Sequence, residues 1–104
     1  MTVSNAGTSE YNGDWEQREE YFGRPRYYKV GGTGRQMLWY APGTGEWCMG
    51  AAGVVRYLAR CPALYLARCP PTEGWEVTSD GSAPAPRLRY AERGGGGRGG
   101  RAWC

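Results

Sequence analysis

Residues 23–50 read GRPRYYKVGGTGRQMLWYAPGTGEWCMG, in which three ring-bearing runs are separated by two glycine-rich breaks. Tyr27, Tyr28 and Val30 form the first run, residues 37–40 the second and residues 47–49 the third. Aromatic and β-branched side chains suit a pleated, half-buried surface, so each run predicts a strand. Gly31-Gly32-Thr33-Gly34 and Pro42-Gly43-Thr44-Gly45 supply the positive φ angles that chain reversals need. The expected core is therefore an antiparallel meander. Strand alternation places Tyr28 and Val30 opposite Tyr27 and Lys29, and Met37, Trp39 and Ala41 opposite Leu38 and Tyr40. Rings then fall on both faces, whereas a sheet with one wet face shows a cleaner apolar and polar alternation. Either a later segment, such as residues 51–68, covers the second face, or that face is a contact surface.

The chain has 104 residues, enough for one small domain. Five Trp and eight Tyr stand against a single Phe, so much of the buried area comes from rings with a polar edge that needs a hydrogen-bond partner. The net charge of +3 is too small to demand a nucleic-acid partner for the whole chain. Its distribution is uneven: Glu10, Asp14, Glu16, Glu19 and Glu20 make the first part acidic, and Arg87, Arg89, Arg93, Arg98 and Arg101 make the last part basic. Lys29 is the sole lysine among thirteen basic residues, a bias that GC-rich coding also produces. No basic segment followed by an apolar stretch opens the chain, and no run is long enough to span a membrane. An intracellular protein, cytoplasmic or nuclear, is expected. Cys48, Cys61, Cys69 and Cys104 form no CxxC pair, and there is no histidine. The residues therefore suggest no metal and no cofactor, and four reduced thiols are expected; in an exported chain Cys61 and Cys69 are the natural pair to join.

Residues 1–11 are polar and glycine-containing, and are expected to be loose, with the folded module spanning residues 12–90. Residues 14–22, DWEQREEYF, suit either a short helix or a strand. Phe22-Gly23-Arg24-Pro25 then turns the chain. The hexapeptide YLARCP occurs at residues 57–62 and again at 65–70, a local duplication expected to give two short extended pieces broken by Pro62, or a brief helical turn over residues 54–60. Gly74-Trp75-Glu76-Val77-Thr78 alternates as a further strand, closed by Ser79-Asp80-Gly81. SAPAP at residues 82–86 reads as an extended linker, after which Leu88 and Tyr90 are candidates for a last edge contact. Residues 91–104, built around RGGGGRGGR, bury too little to order themselves and are expected to be a disordered tail.

Four of these stretches together form a pattern: GRPRYYK at 23–29, LWYAP at 38–42, GEWCMG at 45–50 and GWEVTSDG at 74–81. It resembles a short aromatic β-module that recurs, often in many copies and beside unrelated domains, in largely uncharacterised proteins of algae and other eukaryotes. The resemblance covers roughly residues 12–88, with the YLARCP duplication replacing the usual portion before GWEVTSDG. It implies a strand for residues 14–22 and an interaction or scaffold role, and brings no catalytic residues. The expected fold is thus all-β, a small meander of four or five antiparallel strands.

A catalytic reading finds little support. No histidine is present as a base near neutral pH, Glu16, Glu19 and Glu20 are adjacent surface charges, and only arginines flank Cys61 and Cys69. Gly31-Gly32-Thr33-Gly34-Arg35 lacks the Lys-Ser/Thr ending of a phosphate-binding loop and reads as a turn. The principal candidate surface is Tyr27, Tyr28, Trp39, Tyr40 and Trp47, with Trp39 and Trp47 expected to be structural and Tyr27 and Tyr40 more exposed. Such a sheet face suits an extended proline-rich or apolar peptide, which makes a non-catalytic protein-interaction module the favoured function. Two alternatives remain: RNA association through Arg93, Arg98 and Arg101 of the RGG-like tail, and carbohydrate binding on an aromatic platform.

Overall fold

A computed structural model describes residues 1–33, 35–51, 53–60 and 69–90. Eight strands account for almost all regular structure: β1 (Thr2–Ser4), β2 (Gly13–Tyr21), β3 (Arg24–Lys29), β4 (Met37–Ala41), β5 (Glu46–Ala51), β6 (Val54–Arg60), β7 (Glu76–Val77) and β8 (Arg87–Arg89). All neighbouring pairs are antiparallel, in the order β7-β6-β5-β4-β3-β2-β1-β8. The sheet curls into a half-barrel.

The all-β meander is present, but with eight strands rather than four or five. Residues 1–11, expected to be loose, contribute β1 and a single 3-10 turn (Ser9–Tyr11), and bury Val3, Ala6 and Tyr11. Residues 54–60 are extended and lie within the sheet as β6, so they do not cross its second face. SAPAP is no free linker: Pro86 is buried and the Pro84 carbonyl accepts from Gly7 N–H. The second YLARCP copy up to Arg68, and the Arg/Gly-rich residues 91–104, fall outside the described residues.

Local sequence explains the hairpins. Phe22 and Gly23 both have positive φ, 54° and 79°, which gives a two-residue turn whose twist matches that of the flanking strands. Gly45 (φ 74°) closes the turn between β4 and β5, and Gly31 (φ 76°) the start of the loop after β3.

Register then builds the core. Tyr27, Leu38, Met49 and Tyr57 stand opposite one another across β3 to β6, each 4 % exposed or less. Trp47 lies beside them opposite Ala59, while Trp15, Tyr11, Val3 and Leu88 complete the interior. Each ring removes about 150–250 Å² from water, which compensates for the scarcity of aliphatic residues.

Residues 70–86 span the open side of the half-barrel: they start beside β8, where the Tyr90 hydroxyl donates to the Pro70 carbonyl, reach β6 through β7 and return to β8. The buried Tyr57 hydroxyl accepts from Thr8 N–H (2.9 Å) and donates to the Ser82 carbonyl (2.7 Å). Leu88 N–H reaches the Thr72 carbonyl, and Trp75 Nε1 donates to the Pro71 carbonyl. Where this segment passes β6, a Cβ on Gly81 would lie 2.2 Å from the Arg56 carbonyl oxygen, so only glycine fits.

Candidate functional site on the outer sheet face

The five aromatic residues singled out in the sequence do not form one surface. Tyr27 (4 % exposed) and Trp47 (0 %) are core residues, which corrects the expectation that Tyr27 is the more exposed ring and removes both from a binding surface. Tyr40 is half-buried and packs edge-to-face on Trp47, with ring centroids 5.3 Å apart. Tyr28 and Trp39 lie on the opposite, outer face and are half-buried. The cause is alternation: Tyr27 and Tyr28 are consecutive on β3 and point to opposite sides.

Tyr28 is instead joined by residues the sequence reading did not connect. A register shift between Gln17 and Glu19 inserts Arg18 as an extra residue in β2 and sets Glu19 opposite Arg26. One Glu19 oxygen accepts hydrogen bonds from the Tyr28 hydroxyl (2.7 Å), from Arg26 Nε (2.6 Å) and from Arg26 Nη2. Tyr28, and then Arg26, hold the Glu19 carboxyl below its ordinary range, while the bond to Glu19, and then burial, push Tyr28 up.

Guanidinium groups lie over these rings. Arg26 sits 4.6 Å from the Tyr21 ring centre and 5.9 Å from that of Tyr28. Arg18, which pairs with Glu16, is 5.3 Å from Tyr28, and Arg24 is 4.3 Å from Tyr40. At the hairpin tip Phe22 is 65 % exposed and meets Tyr21 edge-to-face at 4.6 Å. The sequence signal is the alternation of Arg and Tyr around Phe22-Gly23, but reading it requires knowing both the turn and the bulge.

The site offers planar apolar and cationic surface rather than a reactive group. Cys48, a free and buried thiol, is pushed up to about 11 by burial and then by Glu46, which keeps it protonated and weakly nucleophilic. Cys69 is disulfide-bonded, contrary to the expectation of four reduced thiols, and its partner lies outside the described residues. Among the described residues no group of three His, Cys, Asp or Glu side chains could hold a metal ion, and no helix is long and apolar enough to cross a membrane. Arg93, Arg98 and Arg101 lie outside the described residues. No family model, curated protein or solved structure matches the chain.

Proposed function

We propose that this chain is a non-catalytic protein-interaction module, and that its outer face around the β2–β3 hairpin holds an extended, proline-rich or otherwise apolar peptide. Phe22 carries the reading. A bulky residue in the left-handed region costs about 1–2 kcal/mol, and Asn or Gly would make the same turn without that cost. Neither the core nor the turn calls for an exposed phenyl ring at φ 54°. Strain of this kind collects where a partner is contacted. Tyr, Trp and Arg, the residue types on this face, are those enriched where interfaces derive most of their energy. The resemblance to a recurring aromatic β-module points the same way. Guanidinium groups over Tyr21 and Tyr28 favour a peptide over a sugar, which stacks on a bare ring.

The test is a peptide array probed with the parent chain and with Phe22→Asn. Relief of the positive φ and loss of the contact with Tyr21, about 0.5–1.5 kcal/mol, oppose each other, so stability changes by less than about 1 kcal/mol. Binding to the selected peptides falls at least about tenfold. Equal binding by a folded Phe22→Asn chain rules out this face.

A further inference from the structure

At the edge of the sheet, beside the end of β2 opposite to Phe22, β8 pairs with β1 in the register Thr2↔Arg89, Val3↔Leu88 and Ser4↔Arg87. Val3 and Leu88 point inward and are buried. Directly opposed residues share a face, with Cβ atoms about 4.5–5.5 Å apart. The outer face of this pair therefore presents two hydroxyl groups and two guanidinium groups side by side. Residues 72 and 73, held there by the bond from Leu88 N–H to the Thr72 carbonyl, form the other wall of a groove of about 410 Å³. Arg18, Arg26 and Arg60 each pair with a carboxylate, whereas Arg87 and Arg89 make no ion pair among the described residues. The acids nearby are Glu73, in the groove wall, and Asp14, which borders it and accepts from the Thr2 hydroxyl at 3.2 Å.

We propose that this groove binds the phosphodiester backbone of single-stranded nucleic acid. The two guanidinium groups, which have no ion pair among the described residues, and the Ser4 hydroxyl match phosphate oxygens. Arginines two residues apart on a strand stand about 6.6 Å from one another, a spacing that places them on successive phosphates of an extended strand. The sequence directly after β8 continues the series with Arg93, Arg98 and Arg101, so five arginines and only one acid, Glu92, fall within residues 87–101. A groove of this kind reads the backbone rather than the bases.

The experiment measures fluorescence anisotropy of labelled oligouridylate with the full-length chain, between about 50 and 200 mM salt. Arg87→Gln with Arg89→Gln removes two phosphate contacts from exposed positions, which leaves the circular dichroism spectrum unchanged. Affinity at low salt falls about tenfold, and the slope of log K against log salt shrinks by about 1.4, at about 0.7 per contact. Glu73→Gln removes the opposing charge and tightens binding. An unchanged affinity and slope for the Arg87/Arg89 double variant overturns the proposal, as does equal binding of a polyglutamate peptide of matching length. Neither result bears on the Phe22 surface, which the peptide array tests separately.

Discussion

Two buried tyrosines in the same row of the core have opposite relations to their hydroxyl groups. Tyr57 uses its oxygen fully, whereas the Tyr27 hydroxyl is buried and finds no hydrogen-bond partner among the described residues. Tyr27→Phe therefore removes a desolvated polar atom, and stability should stay level or rise by up to about 1 kcal/mol in denaturant unfolding. Burial also pushes Tyr27 up to about 12 from an ordinary 10.0, and Cys48 up to about 11 from 9.0. Tyr11 and Tyr90 are raised too, again chiefly by burial. In each case the folded chain keeps a proton that the unfolded chain releases. The stability these groups contribute is complete below the unfolded values and is lost as pH climbs through the folded ones. The denaturation midpoint should accordingly be unaffected by them up to about pH 9 and fall steadily above it. Alkylation of Cys48 at pH 8 should be slow in the folded chain and fast in denaturant; a rapid reaction in the native state would show an exposed thiol.

Among the elements, β2 resolves a conflict between two local instructions. The two-residue turn sets Tyr21 opposite Arg24, and counting back without interruption would place Arg18 opposite the buried Tyr27. Trp15 must nevertheless face inward. The extra residue at Arg18 absorbs the mismatch, keeping Trp15 in the core and Glu19 beside Arg26 on the outside. Deleting Arg18 should leave a regular hairpin with the same two faces, so Trp15 stays buried and its emission stays blue-shifted. The Arg18 guanidinium over Tyr28 is lost with the residue while that of Arg26 remains, and the additional bend that a bulge imposes is lost as well. A red-shifted, unfolded product would mean that the bend itself is needed for the half-barrel. The hairpin turns and the strands β3 to β5 were legible because glycine and ring patterns are local, whereas the residues of β2 suited a helix as well as a strand. β1 and β8 were not. They are three residues each, and their pairing joins positions more than eighty residues apart, for which no nearby sequence carries a signal.

For the molecule as a whole, stability depends on how the open side of the sheet is closed. Tyr57 joins Thr8 of the first loop to Ser82 of the crossing segment, with Gly81 permitting the close approach to β6. Tyr57→Phe leaves the half-buried Thr8 N–H and the Ser82 carbonyl without this partner, and should cost about 0.5–1.5 kcal/mol, the opposite of the same change at Tyr27. A midpoint equal to the parent's would show that the crossing segment closes the fold by apolar contact alone. Against a total stability of the order of 5–15 kcal/mol, such a loss is a substantial fraction.

The amino-acid sequence alone determined that this chain forms strands, where the central hairpins reverse, and that rings supply its interior, because these follow from side-chain shape and glycine backbone freedom over a few residues. Which ring of each adjacent pair is buried depended on register, and register depended on a bulge. Whether the first eleven residues and SAPAP belong to the fold depended on each other, since the two meet only when the sheet curls and the chain crosses its open side. The β1/β8 groove is a product of the same closure: its residues gain a common surface only through long-range pairing, which tertiary structure supplies and local sequence does not encode. The outer Arg/Tyr face is built within one hairpin, by its turn and its bulge.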